Sequence, residues 1–230
     1  MKLLKLSAFL LALLAWSCAS APESDEAEVS EAEEVNEEAT EGAADFAVDL
    51  DNSMVTWVGT KPTGRHNGSF NISEGSVKVE NGEIVGGNYT IDIKTLAVLD
   101  IPAEDEGNGK LVGHLMSGDF FDAEKFPSAK FEITAVEPYE APEEAEEVSE
   151  EESEFKLADP THFVSGNFEL KGVSKNIKFP AKISVSDSEV SAEAKFNINR
   201  TDWELSYGSD ESLGDKFIRP TVHIGFNILA

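Results

Sequence analysis

From residue 46 onward, apolar and polar positions alternate in short runs, beginning with "AVDLDNSMVTWVGT", "GSFNIS", "GSVKVEN" and "VGGNYTIDIKTLAV". After residue 127 the same period returns in "SAKFEITAVE", "HFVSGNFELK", "NIKFPAKISVS", "EVSAEAKFNINR" and "TVHIGFNIL". A period of two sets alternate side chains on one face of a strand, so these runs predict about eight or nine strands. Asn81-Gly82 separates two of them, and both residues tolerate the positive φ of a tight hairpin. A second hairpin is predicted to turn near Gly172 in "SGNFELKGVSKNIKFPAKI". The chain carries one credible helix, roughly residues 108–117, leading into "GHLMSGDFFDAEKFPSAKF". There Phe120, Phe121, Phe126 and Phe131 fit neither one helix face nor one strand.

Antiparallel strands joined by hairpins build either a sandwich or a closed barrel. Several runs are about eight to ten residues long, which favours the barrel. Eight strands enclose an interior that either fills with side chains or holds one small ligand. Ten residues at about 3.3 Å each, tilted by roughly 40°, give a height of about 25 Å, comparable to the ~30 Å hydrocarbon thickness of a bilayer. A tunnel of that length suits a lipid tail. Alternation alone does not say that the interior is empty.

The ends and the charge change the picture. Lys2 and Lys5 precede an apolar run from Leu6 to Trp16, too short to span a bilayer, so residues 1–17 are expected to be a signal peptide. Cys18, the only cysteine, follows at once; it cannot form an internal disulfide and is expected to be the lipidated residue of an exported bacterial lipoprotein. Trp16 departs from the usual lipoprotein box, and ordinary cleavage after Ala21 is the alternative. The protein is therefore expected on a membrane, periplasmic or at the cell surface, held by acyl chains that each contribute about 0.8 kcal/mol per buried methylene. The formal net charge of -27 is concentrated in two tracts: residues 19–45 hold eleven acids and residues 137–154 hold ten, with no base in either. The first reads as a disordered tether over residues 18–45, since it lacks the apolar surface to offset chain entropy. The second reads as a solvated loop inserted at residues 137–157 of a domain spanning 46–230. So acidic a protein is not expected to bind nucleic acid or anionic lipid surfaces.

Little in the chain suggests catalysis. There is no nucleophile elbow, phosphate-binding loop or dinucleotide fingerprint. His66, His162 and His223 are scattered without metal-ligand spacing, so neither a metal nor a cofactor is expected. Alternation makes Trp57, Phe70, Tyr89, Ile91, Phe131, Phe168, Phe196 and Phe226 candidates for an inward layer. Phe120 and Phe121, being adjacent, are expected to split, one plugging the barrel and one packing under the helix; as a pair they join the candidate lining, as does Trp203. His114 either contacts a head group or braces the helix. Arg200 and Asp202 flank Thr201, forming a local ion pair or Asx-type turn, or else a head-group contact. Asp122 is expected to cap the following turn through its side chain.

Three motifs resemble the YceI-like family. They are the signature around His114, Leu115, Ser117, Asp119, Phe120, Phe121, Asp122, Pro127 and Phe131, the hairpin "GNFELKGVSKNIKFP", and the turn "FNINRTDWEL". "VTWVGTK" with "HNGSF" also fits the family's first strands. Two features depart from it: the acidic loop is unusually long, and Glu204 stands where the family tends to have glycine. The resemblance implies an all-β fold, an antiparallel eight-stranded, extended lipocalin-like barrel with a short helix-and-turn segment closing one end. It also implies a polyisoprenoid or quinone-like lipid in a long apolar tunnel. The absence of catalytic motifs leads us to expect no enzymatic activity, and His114, Arg200 and Asp202 are the candidates for contact with the head group. The rivals are a structural barrel filled by its own aromatics, or an enzyme or stress factor acting on a hydrophobic quinone. An exposed sheet edge leaves room for a homodimer.

Overall fold

A computed structural model describes residues 20–35, 40–140 and 154–230. The expected signal peptide, Cys18 and most of the acidic loop lie outside the described residues. Two short outer strands, β1 (Glu28–Glu31) and β2 (Ala44–Ala47), precede eight long ones: β3 (Met54–Lys61), β4 (Gly64–Glu80), β5 (Glu83–Val98), β6 (Ser128–Pro138), β7 (His162–Leu170), β8 (Val173–Val185), β9 (Val190–Asn199) and β10 (Thr221–Leu229). The eight pair antiparallel in the order β8-β7-β6-β5-β4-β3-β10-β9, and β9 returns to β8 to close a barrel. Closure turns the inward residues of all eight strands toward one interior.

Both predicted hairpins are tight turns with two consecutive left-handed residues: Asn81 (φ 53°) and Gly82 (84°), then Lys171 (54°) and Gly172 (79°). β4 and β5 are longer than alternation suggests, at 17 and 16 residues, because their pairing runs through irregularities near Asn71, Glu74 and Val79. Such bulges bend a long strand pair around a barrel. The Thr95 hydroxyl accepts from Asn71 N–H at 2.8 Å, satisfying a donor the bulge leaves off the ladder.

Helix α1 (Glu106–Met116) starts at Asp105, whose carboxylate accepts from Gly107 N–H at 2.7 Å. Leu111, Val112, Leu115 and Met116 pack from it onto the barrel core. After Ser117 the chain folds back tightly: Phe121 N–H reaches Leu115 O at 3.0 Å and Ala123 N–H reaches Met116 O at 2.9 Å. Asp122 is left-handed (φ 47°), and its backbone carbonyl accepts from Lys125 and Phe126 N–H. The capping expected of its carboxylate is thus made by its main chain.

The barrel has a seam, and the N-terminal segment fills it. β8 and β9 pair only over Ala181–Val185 and Val190–Ala194, and their remaining lengths diverge. In the gap β1 pairs antiparallel with Lys175–Lys178 of β8, while Asn197 N–H donates to Asp25 O at 2.7 Å and Ala27 N–H to Asn197 O at 2.9 Å. This corrects the expectation of a disordered tether through residue 45, because residues 20–31 and 44–47 are bound to the barrel. Composition argues about side chains, but an open seam exposes main-chain donors and acceptors that any sequence without proline can pair. Outside the seam, Phe155 and Leu157 close over the wall, with Phe155 set edge-on to His223 at 5.2 Å.

Candidate functional site

Five rings cross the middle of the barrel: Tyr89, Phe131, Phe179, Phe196 and Phe226, contributed by β5, β6, β8, β9 and β10. Tyr89 stacks on Phe131 with centroids 5.3 Å apart, Phe179 stacks on Phe196 at 4.1 Å, and Phe226 touches all four at 5.5–5.8 Å. The remaining gap is opposite β7, where Gly166 stands; a Cβ there would lie 2.3 Å from Phe131 Cζ. Glycine is what allows the Phe131 ring to lie flat over β7. Burial raises the Tyr89 phenol well above its usual pKa, as a hydroxyl set in an aromatic layer requires.

This layer is a floor, and it divides the interior. On the β2 side lies a space of about 50 Å³ among Val77, Ile84, Ile133 and Val190. On the α1 side lies a cavity of about 280 Å³. Its walls are inward residues of the strands, including Val55, Trp57, Phe70, Ile91, Ile93 and Phe168. α1 and the turn after it form its cover through Leu111, Leu115, Phe120 and Phe121.

The expected lining separates along the floor. Trp57, Phe70, Ile91, Phe120, Phe121, Phe168 and Phe226 line the larger cavity. Tyr89 and Phe131 belong to the floor and face the smaller space, and Phe196, with 0% exposure, lines neither. Trp203 also lines neither: it is wholly buried in a 3-10 turn (Arg200–Trp203), its Nε1–H donating to Phe168 O at 3.0 Å. The expected 25 Å tunnel is therefore interrupted; alternation identifies inward positions but not whether their rings meet across the axis. Phe120 and Phe121 do not split. Both face the cavity, because residues 117–122 form a turn in which neither helical nor strand geometry separates neighbours. Phe121 meets Phe70 edge-on at 5.4 Å, and Phe120 contacts His114 and Tyr207. Leu205, Ile218, Val222 and Ile224 also line the cavity and were not anticipated; Val222 and Ile224 share the inward face of Phe226 and were legible from alternation.

Polar groups collect at the α1 end. His114 Nε2 lies 3.2 Å from Asp119 and its ring is edge-on to Tyr207 at 4.9 Å, so it braces the turn while lining the cavity. His66 lies 2.8 Å from Asp100. Burial pushes the Asp100 carboxyl up, but Asn67 N–H and His66 together hold it below its usual pKa. Arg200 is only 4% exposed and donates to the carbonyls of Arg219, Leu205, Tyr207 and Ile218. The local ion pair with Asp202 does not form, and Asp202 does not line the cavity; Arg200 turns inward across the loop before β10 instead. Trp57 Nε1 and Thr60 Oγ1 are buried without a hydrogen-bond partner among the described residues. No cluster of three metal-ligating side chains occurs among the described residues.

Glu204, at the end of the 3-10 turn, is left-handed (φ 59°). That is the conformation glycine adopts without steric cost, so the glutamate retains the turn geometry under local strain.

The YceI-like domain model matches residues 46–230. No curated protein matches the chain. Among solved structures, BcnA of Burkholderia cenocepacia aligns with a TM-score of 0.56 at 21% identity, covering 80% of this chain and 99% of that one. A polyisoprenoid binding domain from Saccharophagus degradans, implicated in plant cell wall breakdown, aligns with a TM-score of 0.52 at 16% identity, covering 81% and 97%. Both show the same barrel fold.

Proposed function

The chain belongs to the YceI-like domain family, and on that premise we propose that it binds and sequesters or carries a prenyl, quinone-like or related amphiphilic lipid in the α1-side cavity. The observation that carries this reading is the cavity itself, about 280 Å³ walled by apolar side chains in a barrel closed elsewhere by its own aromatics. An unfilled apolar space forfeits packing, so a protein that keeps one gains on filling it. Burial of each methylene contributes about 0.8 kcal/mol, which yields affinity without polar chemistry and weak discrimination among similar tails. The polyisoprenoid binding stated for the Saccharophagus degradans neighbour supports a prenyl tail. The apolar lining favours a binding module over an enzyme.

The mechanism is enclosure. The tail displaces water and rests on Phe226, while α1 and Phe121 lie over it. The cover is light: α1 has no fully buried residue, so it is the element that lifts for uptake at least cost.

Membrane anchoring through Cys18 completes the reading. Pro22 O accepts from Asn197 Nδ2 at 2.9 Å, so the four residues from Cys18 to the barrel wall span at most about 14 Å. An acylated Cys18 would hold the barrel against the bilayer rather than on a stalk, within reach of its lipids. Labelled palmitate should enter the wild type and not Cys18→Ser.

The deciding experiment is native mass spectrometry of protein purified without detergent from its own host, with lipid extraction of the same sample. A stoichiometric adduct extracting as a prenyl or quinone-type lipid is the expected result. A bare mass that persists after incubation with isoprenoids would sink the carrier reading in favour of a structural barrel.

A further inference from the structure

Forty-five acidic side chains face 18 lysines and arginines and 4 histidines in this chain, yet among the described residues no aspartate or glutamate lines the cavity. Its ionisable lining is basic throughout: Lys61, His66, His114 and Arg200. Asp100 and Asp119 stand behind the two histidines they pair with, at 2.8 and 3.2 Å, and neither reaches the lining. Lys61 and Arg200 meet no carboxylate among the described residues.

Arg200 is the stronger observation. Its four carbonyl partners occupy Nε–H, one Nη1–H and both Nη2–H groups, leaving one of the five guanidinium N–H groups unassigned. Carbonyl dipoles satisfy hydrogen bonds but do not cancel a full charge, and in an apolar wall that charge attracts an anion far more strongly than in water. Burial accordingly lowers the arginine pKa. Lys61 shares the inward face of β3 with Trp57 and Gly59, which also line the cavity.

Resting on the carrier reading above, we propose that the cargo is anionic: a single-chain amphiphile whose carboxylate or phosphate head is held at the α1 end by Lys61 and Arg200. The floor sets the tail. A tail that enters from the α1 end meets Phe226 before it can pass toward the β2 side. A neutral alcohol or quinone would fill the same space and leave the Arg200 charge uncompensated.

The test is calorimetric titration of the delipidated full-length protein with decanoate, decanol, geranyl phosphate and geraniol. At least one acid should bind about tenfold more tightly than the alcohol of the same chain, the increment of one charge-assisted hydrogen bond. Lys61→Gln should close most of that gap, and raising salt from about 50 to about 500 mM should narrow it. Preference for geranyl phosphate assigns a phosphate head, and preference for decanoate a carboxylate. Alcohols that bind as tightly as both acids overturn the anionic head and leave the carrier reading standing. Absence of binding by all four overturns both.

Discussion

The two halves of the barrel interior are built from the same alternating strands and end differently. On the β2 side, branched aliphatic residues and the floor rings leave about 50 Å³; on the α1 side the same strands leave about 280 Å³. The difference arises at the closures. The β2 side is closed by long paired strands whose side chains meet at the axis, as an ordinary core does. The α1 side is closed by one half-buried helix and a turn, which cover the space without filling it, and basic residues gather at its rim. One sheet thus serves as a packed core at one end and a container at the other, and the five-ring floor is the boundary.

Removing the floor should break that distinction most strongly. Phe226→Ala deletes the ring that touches the other four, and should lower unfolding stability by about 3–5 kcal/mol in urea titrations. The same variant should accept longer tails, because the two spaces then communicate. Unchanged chain-length preference would show that the floor does not limit the ligand. Gly166→Ala attacks the floor from β7, where the new methyl meets Phe131, and should cost up to about 3 kcal/mol by the same measurement.

Acidification should strike the wall and spare the floor. Burial, and secondarily Lys195, lower the pKa of His223 from 6.5 to about 4. The unfolded chain therefore takes up the proton first as pH falls, so this contribution is intact above about pH 6.5 and is lost progressively below it. Each pH unit costs about 1.4 kcal/mol, giving a loss of about 2 kcal/mol by pH 5. His223→Gln should flatten that slope, and a slope that survives the substitution would place the titrating group elsewhere. The smallest effect has the opposite sign. Glu204→Gly relieves a left-handed glutamate and should raise stability by about 1 kcal/mol, read as a higher urea midpoint with unchanged slope.

Much of this was legible locally. The period-two runs, Asn81-Gly82 and the Lys171-Gly172 turn specify strands and hairpins through steric rules that act within a few residues. The helix, expected roughly over residues 108–117, lies at Glu106–Met116, within two residues of that expectation. The seam was not legible: nothing in residues 20–31 announces a strand, since their role is to pair main-chain groups that β8 and β9 leave open.

The candidate site divides in the same way. Which residues point inward follows from alternation, and Trp57, Phe70, Ile91, Phe168 and Phe226 were named on that basis alone. Whether an inward ring lines a space or fills it depends on what stands opposite. Phe131 lies in the floor because Gly166 on the neighbouring strand β7 leaves room for its ring, and Arg200 faces the cavity because carbonyls of the Tyr207 and Ile218 loops draw it in. Local periodicity and turn sterics were enough to specify the strands, their hairpins and the faces of their side chains, while strand length only favoured a barrel over a sandwich. Where the barrel closes and is empty, what seals its seam and which charges meet the cavity depend on packing between residues far apart along the chain, which no local pattern encodes.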